Sequence, residues 1–518
     1  MWDFIVSKVF TSVVMSRIKL FVTVMFYVLS ITQIYTQTKE QFMSISPKRE
    51  MRGIWVATVN NIDWPSQPGL SVKRLKEETL KILSRVKTVG LNTVFLQVRP
   101  SSDAIYKSEI EPLTSYMVGE TPYKYVDFDA LQFWIEQAHA MGLELHAWIN
   151  PFRVTPKPDF IRSSNHLSYK QPDWIVNYAG KQYLNPGLPE SRAYVANIVA
   201  DITSRYDIDG IHFDDYFYPY PVKNETFDDK ETYLRHNTSN LSLDDWRRDN
   251  VNKVIKQIND TIKTIKPWVA FGVSPFGVWR NKSDDERGSN TRAGITNYDI
   301  LYADVAKWID SGWIDYVVPQ IYWASGNKAA DFDELYKWWA NYSNAKSQVF
   351  VGHAIFKVNS GSKEWNNPEE MPSQIDKVRA NERLGGSVFF SYRQFNRDLL
   401  GLESVMQEAL YRNKALSPLV MSGVNRSNEK TRLKHIKQKG NKLSWKCLNE
   451  DVRFFAIYRY ESDDDFEGNE NQYLYDIVGE NELLLAQSEK KKKYIYRIAV
   501  IDKYRSEYAL SKKIVIKH

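Results

Sequence analysis

The chain has 518 residues, 43% hydrophobic and 25% charged, with a formal net charge of +6. That balance excludes a disordered chain and a multi-span membrane protein, and a small charge spread over so many residues leaves no electrostatic footprint for nucleic acid. The length argues for more than one domain, and the single cysteine, Cys447, rules out an internal disulfide and any Cys-based metal cluster.

In chain order, Arg17 and Lys19 precede the apolar run 20–31, and a polar stretch, 32–40, follows. Residues 1–36 therefore read as a secretory signal peptide, which a start at Met15 would make more typical. An uncleaved N-terminal anchor is the alternative, because 4–15 is also apolar. No cysteine follows the run, so no lipid can be attached there. The expected location is secreted or periplasmic, with membrane contact confined to this segment.

From residue 50 to 412, short β-branched or aromatic runs alternate with amphipathic stretches. Strands are predicted at 52–59, 92–100, 143–151, 210–215, 268–279, 316–323, 349–356 and 387–392. The intervening helices are predicted at 72–89, 128–141, 190–206, 244–266, 302–311, 332–343, 373–384 and 399–412. Strict alternation requires parallel strands, and eight of them suggest an α/β fold of the (β/α)8 TIM barrel type. An open doubly wound sheet is the weaker choice, since no Gly-rich phosphate loop follows the first strand. Over 417–518 the pattern changes to five short alternating strands, at 443–445, 454–460, 473–478, 493–502 and 511–518, predicting a small all-β sandwich. The acidic run 463–465 and the basic run 490–493 read as solvated turns.

In such barrels chemistry gathers where strands end. The stretch GIHFDDYFYP, 210–219, ends an apolar run in two carboxylates. A period of two places His212, Asp214 and Tyr216 on one face and Asp215 on the other. A carboxylate at a strand mouth is costly to bury without a partner, which marks Asp214 as a candidate catalytic group. Asp215 either reaches the same cleft through the loop or holds its neighbours in place. Other strand ends supply Trp55, Asn60 and Asp63; Arg99 and Asp103; His146, Asn150 and Arg153; Gln320, Tyr322 and Trp323; and Tyr392. Amides, acids and arginines bond sugar hydroxyls while aromatic faces cover the ring, so the set suits a glycan better than a phosphate. The 14% aromatic content, with 16 Trp and 31 Tyr, points the same way, although packing accounts for part of it.

Glycoside hydrolysis needs two carboxyls. Partners for Asp214 could come from Asp63, Asp103 or the cluster Asp284, Asp285 and Glu286, the last of which also reads as a solvated loop. His146 and Arg99 have plainer readings, as a hydrogen-bonded core histidine and as an ion-pair partner. Metal-assisted hydrolysis through His212, Asp214 and Asp215 is the weaker route, since no HExxH or HxH spacing is present, and neither metal nor cofactor is expected.

Long ordered motifs add a resemblance. RGIWVATVNNIDWP (52–65), FLQVRPSSDAIYKSEIEP (95–112), HAWINPFRV (146–154), LNPGLPESR (184–192), DGIHFDDYFYP (209–219), GVSPFGVWRN (272–281) and GWIDYVVPQIYW (312–323) are similar to the bacterial glycosyl hydrolase-like lipoprotein family. The resemblance implies a (β/α)8 hydrolase acting on glycans outside the cytoplasm, with peptide-free peptidoglycan strands as substrate. It adds Asn185 of LNPGLPESR to the substrate-binding set. The position matching Asp214 is catalytic in more distant glycosidase barrels, and the C-terminal segment resembles a fibronectin type III domain. The chain departs from the family in lacking the lipid-attachment cysteine. The leading expectation is a monomeric extracytoplasmic glycoside hydrolase using Asp214 and Asp215. The alternatives are a glycan-binding protein without turnover and a structural module that presents the C-terminal sandwich to a partner.

Overall fold

The computed structural model describes Phe42 and residues 47–120, 122–419, 433–449, 451–461, 466, 470–485, 493–508 and 510–517. The predicted signal or anchor at 1–36, the acidic run 463–465 and most of the basic run 490–493 lie outside the described residues. Among the described residues, no helix is long and apolar enough to cross a membrane.

Eight parallel strands close into a barrel: Met51–Val56, Thr93–Arg99, Glu144–Ile149, Gly210–Phe213, Ala270–Val273, Tyr316–Val317, Gln348–His353 and Leu384–Phe389. They pair in chain order, and the eighth returns to the first, with Ile54 opposite both Phe389 and Val94. Helices between the strands cover the outside. Val72–Val89 shows why such a stretch folds as it does: Ser71 accepts a hydrogen bond from the Arg74 amide, Leu75, Ile82 and Val86 bury one face, and Gly90 ends the helix at φ 91°. The last predicted helix is instead a short turn, Leu402–Val405, continuing into a π-helical turn over Met406–Leu410.

Side chains, not solvent, fill the barrel: Trp55, Phe95, Trp148, Tyr316, Phe350 and Val388. Gly272 makes room for this packing, since a Cβ there would stand 2.1 Å from the Tyr316 ring. Through this apolar interior runs a polar column. At its lower end Arg505 Nε lies 2.7 Å from Glu144 Oε1, and Glu144 Oε2 lies 3.4 Å from His146 Nε2. His146 Nδ1 meets the Tyr316 hydroxyl at 2.7 Å, and that hydroxyl lies 3.3 Å from His212 Nδ1. His212 Nε2 completes the column at 3.0 Å from Ser274 Oγ and 3.2 Å from Trp55 Nε1. Burial pushes His212 well below the ordinary histidine value, so it is a neutral link in the column.

Among the described residues the C-terminal part is β apart from one 3-10 turn, Glu470–Tyr473. One sheet joins Leu433–Lys439, Lys442–Cys447 and Glu482–Leu484; the other joins Leu474–Val478, Val452–Tyr460, Lys493–Asp502 and Ile514–Lys517. Among the described residues seven strands thus stand where five were expected, because Leu433–Lys439 is lysine-rich and Glu482–Leu484 very short. The sheets enclose Leu443, Trp445, Phe455, Ile457, Tyr496 and Ile498. This unit abuts the end of the barrel where strands begin. Besides Arg505 on Glu144, Arg453 binds Asp207 at 2.8 Å and Asp209 at 2.9 Å, and Lys87 reaches Asp476 at 2.9 Å.

Candidate active site

At the opposite end, where strands finish, a cleft of about 390 Å³ opens. The fourth strand stops at Phe213, so Asp214 and Asp215 both leave its alternation and both line the cleft. Strand alternation alone would turn Asp215 away; the route through the loop, the other position weighed for it, is the one by which it lines the cleft.

Asp214 is positioned by a relay of amides. Gln97 Oε1 accepts from the backbone amides of Thr58 (2.9 Å) and Val59 (2.8 Å), which fixes the side-chain oxygen and turns the Gln97 amino group toward Asn150 Oδ1. Asn150 must then present its own amino group to Asp214 Oδ2, at 3.0 Å. The other Asp214 oxygen accepts from the Asp215 backbone amide at 2.8 Å. Asn150, expected to bind substrate, is bonded on one side to Gln97 and on the other to Asp214.

Asp215 differs from its neighbour. Burial first, then the negative Asp214 and the hydrogen bond to it, push the Asp215 carboxyl well above the ordinary carboxylate range, while the Tyr220 hydroxyl, which donates to Oδ2, works in the opposite direction. Adjacent carboxyls that cannot both ionise hold one proton between them. Sequence reasoning missed Tyr220; it lies in the loop beyond the strand, where neither alternation nor motif spacing singles it out.

Aromatic rings wall the cleft: Trp55, Trp148, Tyr216, Tyr322, Phe356 and Phe390. Tyr322 lies 5.5 Å from Phe356 and 6.4 Å from Phe390, centroid to centroid. Of the other expected binding residues, Asn60, Arg153 and Gln320 line the cleft, with Asn60 held at φ 54°. Gln320 is anchored by its amino group to the Ser274 carbonyl at 2.8 Å.

The remaining expected binding residues lie elsewhere. Arg99 is fully buried, pairing with Glu111 at 2.6 Å and donating to the Asn150 and Pro151 carbonyls and Ser102, so every nitrogen is engaged. Asp103 is buried beside it, accepts from the Ser101 amide, and is pushed up to about 8 chiefly by burial. Asp63 clasps the first and last strands together: it accepts from the Ala57 amide at 2.7 Å and from Ser391 at 2.9 Å, and burial raises it to about 6. His146 and His212 belong to the column below the cleft. Asn185 folds its own loop, bonding Gly187 N and Thr232. Trp323 packs on Phe276 and lines a neighbouring cavity with Trp365, and Tyr392 lies beside Arg85. Asp285 is tied to Arg280 and Arg287 outside the cleft. Among the described residues no group of three His, Cys, Asp or Glu could hold a metal ion.

Comparison with known proteins places the chain among glycosyl hydrolase-like sequences. The sequence pattern of the family described as glycosyl hydrolase-like 10 matches residues 50–368. Glycosyl hydrolase YngK of Bacillus subtilis (strain 168) is 40% identical over 481 residues, covering 90% of this chain and 93% of its own. Glycosyl hydrolase DigH of Escherichia coli (strain K12) is 38% identical over 374 residues, covering 67% and 84%. Among solved structures, the chain is similar to the PgaB (BpsB) glycoside hydrolase domain from Bordetella bronchiseptica at a TM-score of 0.47 and 11% identity, over 69% of this chain and 99% of that one. With more than half of its length matched, seven of the eight barrel strands included, the chain belongs to the glycosyl hydrolase-like 10 family.

Proposed function

We propose that this protein is an extracytoplasmic glycoside hydrolase, with peptide-free peptidoglycan strands as its substrate. One observation carries the catalytic reading: two adjacent carboxyls with opposed environments sit at a strand mouth inside an aromatic cleft. Asp215 holds the proton that goes to the glycosidic oxygen, and Asp214 presents its carboxylate to the positive charge developing at the anomeric carbon. Trp55, Tyr216 and Tyr322 offer ring faces for sugars, and Asn60 and Gln320 offer amides for hydroxyls. The substrate and location rest on the sequence motifs and on the signal-like segment 1–36. In this reading residues 50–412 form the catalytic barrel, and 417–518 a fibronectin type III-like sandwich that braces it from below.

A glycan-binding protein without turnover is favoured by a different observation. The Asp214 and Asp215 carboxyls bond each other, closer than the about 5 Å of retaining or about 6.5–9.5 Å of inverting pairs. Asp214→Asn separates the two readings. The chain from Gln37 onward would be incubated with peptide-free strands and intact sacculi and the products read by mass spectrometry. A hydrolase releases defined oligosaccharides that the variant does not, while both bind. Binding by both forms with no products from any glycan would overturn the catalytic reading.

A further inference from the structure

Beyond the third strand the chain does not pass straight to a helix. It builds a small antiparallel sheet from Arg153–Thr155, Ile175–Tyr178 and Lys181–Leu184. Residues two apart on a strand share a face, and directly paired residues share it too. Lys181 and Tyr183 therefore lie on one face, and Arg153, registered opposite Tyr183, joins them; all three line the cleft.

Two of the three are cations without an anion. The Arg153 guanidinium lies 4.4 Å from the centroid of the Tyr216 ring, next in sequence to the acid pair. Neither its guanidinium nor the Lys181 ammonium forms a side-chain hydrogen bond or an ion pair with a described residue. The contrast with Arg99, Arg247 and Arg453 is plain, since each of those is closed by a carboxylate. Stacking on Tyr216 holds the Arg153 plane in place and leaves its edge donors free for a planar acceptor.

We infer that this inserted sheet forms an anion subsite, and that Arg153, with Lys181, selects a glycan bearing a carboxylate on the sugar unit bound there. The inference deepens the proposed function and rests on it. Arg153 supplies the paired, in-plane donors that match a carboxylate, and Lys181 adds a mobile charge at the cleft rim. Lactyl and uronate carboxylates present the same acceptor, so the chemistry of the subsite covers both sources.

Turnover of peptide-free peptidoglycan strands, whose muramic acid carries a free lactyl carboxylate, would be compared with turnover of the same strands after reduction of that carboxylate to an alcohol. A polyuronate, native and reduced, forms the second arm. The readout is the ratio of kcat/KM for native over reduced glycan, with equilibrium binding to Asp214→Asn measured in parallel. A charged hydrogen bond at a partly exposed site predicts a ratio of about ten or more in the parent chain. That ratio falls toward unity in Arg153→Met with Lys181→Met, and part of the way in Lys181→Ala, a change at an exposed hairpin tip. A preference confined to one arm identifies the source of the carboxylate. An equal ratio in parent and variants, or no preference in the parent, overturns the subsite while leaving the hydrolase reading intact. Failure to bind or cleave either form in either arm removes both.

Discussion

Arg505→Met tests whether the C-terminal unit is fastened to the barrel by charge. The Arg505 guanidinium is buried against Glu144, at 2.7 and 3.1 Å, and donates to the Asp209 carbonyl at 3.3 Å. Burial alone would raise the Glu144 carboxyl; Arg505 and then the hydrogen bond from His146 pull it below its ordinary value. Without Arg505, Glu144 keeps the His146 hydrogen bond and the weaker field of Arg453 against its burial, and is better off taking a proton. Holding that proton in the folded chain costs about 1.4 kcal/mol for each pH unit above the unfolded value of about 4.3. The loss is thus about 3.7 kcal/mol at pH 7 and about 1 kcal/mol at pH 5. The sign follows from the parent: a lowered folded value gives stability that is present above the unfolded value and lost as pH falls through the folded one. Urea midpoints of the full chain, followed by tryptophan fluorescence at both pH values, measure the difference. Adding Glu144→Gln should recover most of the loss at pH 7 and flatten its pH dependence. An equal loss at pH 5 and pH 7, or a double variant no better than the single one, would show that Arg505 acts by packing and refute the argument.

Two further outcomes concern the acids. Asn150→Ala removes the donor to Asp214 and strands the Gln97 amino group; a bond to a charged group is worth about 1.5–3 kcal/mol, so kcat should fall about 10- to 150-fold with KM little changed, as steady-state kinetics on a folded variant would show. Tyr220→Phe removes the donor that opposes the rise of Asp215, so the alkaline limb of the pH–rate profile, where the general acid is lost, should move to higher pH. An unmoved limb would place the titrating acid elsewhere.

The barrel was legible in the sequence because its eight strands are short β-branched or aromatic runs separated by helical periods. Period two also placed His212 and Asp214 on one face, but it could not say where the strand stops. The early stop, at Phe213, decides whether Asp215 faces the cleft. Nor does a strand-end position say whether a side chain is already spent. Arg99 and Asp63 both carry the right chemistry, and both are consumed by partners that strand spacing does not reveal, Glu111 in the following loop and Ser391 far along the chain. The inserted sheet was missed because its strands, Arg153–Thr155, Ile175–Tyr178 and Lys181–Leu184, are three or four residues long. Trp323 follows its strand by the right spacing, yet the loop turns it into the adjoining cavity.

The clasp at Asp63 bears on how the chain is made. Asp63 and Ser391 lie 328 residues apart, and Glu50, at the other end of the same strand, waits for Arg379, 329 residues on. At a synthesis rate of about 5–20 residues per second, the interval is roughly 15–65 s. Through all of it the opening strand has one neighbour, Thr93–Arg99, and its other edge stays unpaired. The first strand to leave the ribosome is thus the last to be secured, and a nascent chain arrested before Leu384 would present two open edges of one unfinished cylinder.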